Sequence, residues 1–120
     1  MNFEPRSMIK DKHAFGRSQM SLDPAEGVDE EDHRYRSAIL QHRIATTARD
    51  LIQVRYGSIE RFAEAHHHIP GMSLDRIRRM LRGETTITFA DFALFAVELP
   101  FVAKTASRVI ETWPSPERRQ

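Results

Sequence analysis

Cysteine is absent from this 120-residue chain, and with it go disulfides, thiolate metal ligands and cysteine nucleophiles. No apolar run approaches the roughly 18 residues that would suggest a membrane helix. The opening stretch "MNFEPRSMIKDKHAFGRSQM" mixes charges throughout and lacks the apolar centre of a signal peptide, so a cytoplasmic protein with no membrane association is expected. No segment alternates apolar and polar residues between turn signals, and no internal repeat is visible, so strands are not expected. Nucleophile elbows, glycine-rich phosphate loops and metalloprotease-like histidine pairs are missing too. Neither an enzyme nor a cofactor is expected.

What is present is charge, unevenly placed. The net value of +1 conceals an acidic start: residues 1–32 hold four Lys/Arg against eight Asp/Glu, whereas residues 33–120 hold fourteen against nine. A basic body behind an acidic leader invites a polyanionic partner. Residues 1–28 show no sustained period and contain Pro5, Gly16, Pro24 and Gly27, so a flexible arm is expected there. Residues 29–113 form the helical domain, and "PSPERRQ", residues 114–120, a loose tail.

Helical periodicity fills the domain. Asp29 is placed to cap a long helix whose face is marked by Leu40, Ile44, Thr47/Ala48 and Leu51 and which stops at Gly57. Ser58 caps a second helix with Ile59, Phe62 and Ala63 facing inward, and Pro70-Gly71 punctuates the turn that follows. Ser73 opens a third helix that ends at Gly83. Thr88 and Asp91 have the spacing of a capping box for a fourth, which buries Phe92, Phe95, Ala96 and Leu99. After Pro100 a fifth runs toward Trp113. The fold class is therefore all-α, with five helices.

The third helix poses the functional question. "SLDRIRRMLRGE", residues 73–84, places Arg76, Arg78, Arg79 and Arg82 within seven positions, around an apolar stripe of Leu74, Ile77, Met80 and Leu81. A charge run on a helix is ordinarily a solvated face. The order of the flanking segments argues otherwise, because "FAEA…SLDRIRRMLRGE…TFADFALFAVELPF" resembles the lambda-repressor-like helix-turn-helix domains of the Cro/repressor type over residues 38–101. Ala63 matches that family's small packed residue, Ile77 its recognition-helix anchor, "LRGE" its helix ending, and Phe92, Phe95-Ala96 and Leu99 its following helix. The step from Ala63 to Ile77 is fourteen residues, four longer than the resemblance calls for, so the turn "AHHHIPGM" is lengthened.

The resemblance implies a compact five-helix domain that binds double-stranded DNA through the third helix, with Ser73, Leu74, Asp75, Arg78 and Arg79 placed near base edges. Arg76 also faces outward, and Arg82 is placed for a phosphate or Glu84. Ser58, Arg61, Thr85 and Thr86 are candidate backbone contacts. A small phage, mobile-element or bacterial repressor fits this size. The competing reading is an antitoxin or adaptor in which residues 1–28 fold on a protein partner. Arg6, Lys10, Lys12 and Arg17 would also let that arm reach a minor groove.

Two further features need weighing. His66, His67 and His68 are adjacent and so diverge on a helix end, whereas zinc needs converging ligands, and no metal is expected. Phe101, Val102, Val109, Ile110 and Trp113 exceed what a short final helix needs, which suggests a homodimer interface that Tyr35 and Ile39 could join.

Overall fold

Helix α1, His33–Tyr56, is the longest element and the one against which most of the others pack. The computed structural model describes residues 3–113, so the expected loose tail 114–120 lies outside the described residues. Asp32 caps α1, its Oδ1 accepting the Arg34 amide at 2.8 Å, and Gly57 closes it in the left-handed region with φ of 86°. The expected cap, Asp29, instead closes a turn ahead of the helix by accepting the Glu31 amide. The acidic run thus supplies caps at two successive turns, and the downstream one opens the helix.

Four shorter helices follow: α2 (Ile59–Ala65), α3 (Leu74–Leu81), α4 (Phe89–Glu98) and α5 (Val102–Thr112). Ser58, Ser73 and Thr88 cap α2, α3 and α4 as their spacing predicts, and Thr88–Asp91 forms the complete capping box. Phe62, Ile77, Met80, Leu81, Phe95, Leu99 and Val102 meet beside Ile52 with no exposed surface. Each such side chain contributes roughly 1.5–3 kcal/mol through burial. The five-helix all-α class stands. Among the described residues the only strand-like pairing is an isolated bridge between Ile9 and Pro24.

The leading segment departs from expectation. Residues 3–28 do not form a flexible arm: Pro5, Met8, Ile9 and Phe15 are buried in the common core. Their backbone takes two 3-10 turns, Pro5–Met8 and Lys12–Ala14, then folds back so that Lys10 N–H donates to the Asp23 carbonyl and Ala25 N–H to that of Met8, both at 2.9 Å. Such irregular backbone has no 3.6-residue period to be read in sequence.

The helix that receives it is polar where a core helix would be apolar. His42 Nδ1 accepts the Gly16 amide at 2.8 Å, so its Nε2 carries the proton and donates to the Met20 carbonyl at 2.8 Å. Thr46 Oγ1 donates to the Ser18 carbonyl at 3.0 Å, and Arg49 Nε donates to that of Gly16 at 3.1 Å. Tyr35 donates its hydroxyl to the Leu22 carbonyl at 2.5 Å. These side chains satisfy main-chain groups that the leader's irregular path leaves unpaired. Both sides of α1 are therefore covered, and Tyr35 and Ile39, expected at a dimer interface, lie beneath the leader.

Gly16 sits at the tightest point. Its φ is 71°, and a Cβ there would stand 2.2 Å from the Leu81 carbonyl oxygen, which is backbone and cannot swing away. Gly16→Ala should therefore unseat the leader and cost more than about 2 kcal/mol in denaturant unfolding; a loss under about 0.5 kcal/mol would contradict the docked arrangement. Burial holds the His42 pKa below its ordinary 6.5, outweighing the hydrogen bond to Met20. The unfolded chain then binds the proton first, so stability is full above about pH 6.5 and falls as pH drops below it, by at most about 1.4 kcal/mol per unit. Chemical unfolding between pH 7.5 and 5 should show that slope, and His42→Gln should flatten it.

Candidate nucleic-acid interface

Helix α3 divides cleanly into two faces. At 100° per residue, Ile77, Met80 and Leu81 point one way with Leu74 at their edge, and these pack into the core. Asp75, Arg78, Arg79 and Arg82, at spacings of three, four and seven, fall together on the opposite side. Ser73 starts the helix with its hydroxyl accepting the Arg76 amide at 3.2 Å, and Gly83, with φ of 74°, ends it. Eight residues make a rod about 12 Å long, comparable with the roughly 12 Å width of a major groove.

The arginines of this helix have unlike surroundings. Arg76 lies between the two faces, and its guanidinium is spent on structure. Both of its terminal nitrogens donate to the Asp91 carboxylate at 2.6 Å, and Nη1 also donates to the Gly71 carbonyl at 2.9 Å. Its expected place among the DNA contacts is corrected for that reason. Burial alone would raise the Asp91 pKa, but the Arg76 guanidinium and the Thr88 amide and hydroxyl outweigh it and hold the carboxyl below its usual range. Arg78 is exposed and steadied by an ion pair with Glu60 of α2. The Glu60 carboxylate, held by its own backbone amide and by Arg78, also titrates below the ordinary range. Arg82 pairs with Glu84 at 2.5 Å, as its position suggested. Arg79 is half-buried and makes no side-chain hydrogen bond or ion pair among the described residues.

The other candidates are scattered. Ser58 is occupied as the cap of α2, accepting the Arg61 amide at 3.2 Å, and Arg61 is exposed beside Gly57. Thr85 is half-buried. Thr86 turns away: its hydroxyl donates to the Phe3 carbonyl at 3.4 Å and it lines a groove between α1, α4 and α5. That groove takes Thr86 out of the set placed beside α3.

The lengthened turn is ordered by its own residues. His66 is buried on Phe62, with ring centroids 4.3 Å apart, and its Nδ1 donates to the Phe62 carbonyl at 2.8 Å. His67 and His68 stay exposed, so the three side chains part company. Met72 is buried just before Ser73, and Gly71 takes φ of 85° to make the bend. The four extra residues thus form a packed bridge that carries the chain from α2 to the start of α3.

A second surface is apolar. The outward side of α4 carries Phe89, Ala90, Ala93 and Val97, while its Asp91 is buried. Phe89 is 94% exposed and borders the groove of about 910 Å³ that Leu40, Ile44, Phe92, Ala106 and Ile110 also line. The expected dimer set divides here. Phe101 and Ile110 are exposed, but Val102 and Val109 are buried in the core and Trp113 lies against Arg36, 6.0 Å from its ring.

Sequence reasoning identified Asp91 as a cap but missed its ion pair with Arg76, because the burial that makes the carboxylate need an additional cation arises only in the fold. Asp91→Ala removes both the pair and half of the box and is expected to cost about 2–4 kcal/mol in urea unfolding; a protein of unchanged stability would show that the pair does not hold α3 to α4. Compared with protein-family models, curated proteins and solved structures, the chain matches none.

Proposed function

We propose that this protein is a sequence-specific, double-stranded DNA-binding regulator, a small cytoplasmic repressor that reads the major groove with α3. One observation supports it above the rest: Asp75, Arg78, Arg79 and Arg82 share the side of α3 opposite its buried face, while Arg76 is diverted to brace the helix against α4. A solvated helix surface would not need such bracing. A reading helix does, because direct readout requires its side chains at fixed positions against base edges. Arg79 is unpaired and Arg78 is steadied by Glu60, which suits them to guanine O6/N7, the commonest specific contact. Asp75 accepts from a cytosine amino group or orients an arginine, and Ser73 and Leu74 stand at the entering end.

The protein acts as a homodimer over two half-sites about one helical turn apart. The charge-free outer side of α4, continuing into Phe101 and Ile110, is the surface that supports this. The alternative, an antitoxin or adaptor whose residues 1–28 fold onto a protein partner, has less support. Pro5, Met8, Ile9 and Phe15 are already used within the chain itself.

Selection from a random duplex pool at moderate salt should enrich a two-fold symmetric motif. Arg79→Ala and Arg78→Ala should each relax one base position within it and weaken binding to the selected sequence by about 1–3 kcal/mol. No enrichment, or variants that bind as wild type does, would refute the reading. Ile110→Glu should shift the protein to monomer in sedimentation and lower affinity for the two-half-site duplex more than for a single half-site.

A further inference from the structure

The leader and α3 meet at a cluster of arginines that the fold draws from three distant parts of the chain. Arg49 of α1 donates through Nε to the Gly16 carbonyl at 3.1 Å and through Nη2 to the Leu81 carbonyl at 3.3 Å. One guanidinium therefore ties together two backbone points whose next residues are Arg17 and Arg82. The contact is close, since Gly16 has no room for a Cβ against Leu81. Arg17 and Arg82 are both exposed, and Arg17 makes no side-chain hydrogen bond or ion pair among the described residues. The nearby acids are already engaged: Glu84 with Arg82, and Asp50 with the amide of Gln19 at 3.4 Å. Burial and the charge of Arg17 lower the Arg49 pKa, with Asp50 opposing that and Arg82 adding to it, so Arg49 lies within the field of both neighbouring guanidinium groups.

Three guanidinium groups against two carboxylates, Glu84 and Asp50, leave the junction with an excess of positive charge, which an anion relieves. Arg82 also belongs to the exposed stripe of α3 with Asp75, Arg78 and Arg79, so the cluster extends that stripe past the helix end onto the leader. We propose that Arg17, seated beside Arg82 by the Gly16–Arg49–Leu81 junction, is a binding site for the phosphodiester backbone of double-stranded DNA. The docked leader thereby positions the protein on the duplex while α3 reads bases. This rests on the DNA-binding reading above. It assigns the leader a fixed place on the nucleic acid, in contrast to a loose arm that sweeps along it.

The test is duplex affinity of the full chain against salt concentration, on a selected and a scrambled sequence. Wild type is compared with Arg17→Gln, Gly16→Ala and Lys104→Gln, an exposed cation on α5 as control. Arg17→Gln should lower the slope of log K against log salt by about 0.9 and weaken both duplexes by the same several-fold factor, with the melting temperature unchanged. Gly16→Ala should lose the same slope by unseating Arg17, while Lys104→Gln keeps the wild-type slope. An Arg17→Gln slope equal to wild type overturns the site, and so does a loss confined to the selected sequence, which would mean a base contact. A Gly16→Ala protein that keeps the full slope overturns the docked placement, because Arg17 would then act from a loose arm. Wild type that binds no duplex at any salt overturns the function itself, and this site with it; preference for single-stranded or duplex RNA at equal salt overturns the choice of DNA.

Discussion

The structure depends on α1 being covered on both sides. A helix of a small bundle usually keeps one stripe in water. Here one side of α1 takes α2, α3 and α5, and the other takes the leader. The second side works because His42, Thr46 and Arg49, at spacings of four and three, meet main-chain groups of residues 16–20 where apolar side chains would leave them unsatisfied. Without those bonds the leader would bury amides and carbonyls at a cost of roughly 1–3 kcal/mol each. With them, Phe15 and Ile9 add to a core that the five helices alone would leave thin.

The same logic runs through α3. A helix of two turns is too short to be stable on its own propensity. Its position is set from three directions: Ile77, Met80 and Leu81 against the core, Arg76 onto Asp91 of α4, and the Leu81 carbonyl onto Arg49 of α1. Two of the arginines near the candidate face thus serve the fold, which leaves Arg78, Arg79 and Arg82 outward and oriented. The proposed reading of DNA and the proposed phosphate contact are linked for this reason, since the groups that fix α3 also fix Arg17.

Much of the architecture was legible in the sequence because it rests on local rules. Ser58, Ser73 and Thr88 were visible as caps, since a short hydroxyl side chain satisfies an amide two or three residues on whatever the tertiary context. The apolar stripe Leu74–Ile77–Met80–Leu81 was legible because an amphipathic helix repeats its buried positions at a near-constant angle. The leader is illegible in the sequence for the converse reason. Its 3-10 turns carry no lasting period, and its buried residues are spread among Gly, Pro and Ser that elsewhere mark disorder. The signal lay in α1, where a histidine, a threonine and an arginine fill a stripe that faces protein.

By itself, then, the chain determined its helices, the caps of α2, α3 and α4 and the charged character of α3, all of which follow from interactions within about four residues along the backbone. Tertiary structure alone decided which arginines remain available. Arg76 and Arg49 are indistinguishable from Arg79 and Arg17 as letters in a sequence. Only the distances to Asp91, Gly16 and Leu81 make the first two structural and leave the second two unpaired at the surface. Those distances join residues 15 to 33 positions apart. The energy of such a contact depends on the whole chain closing around it, which no local pattern encodes.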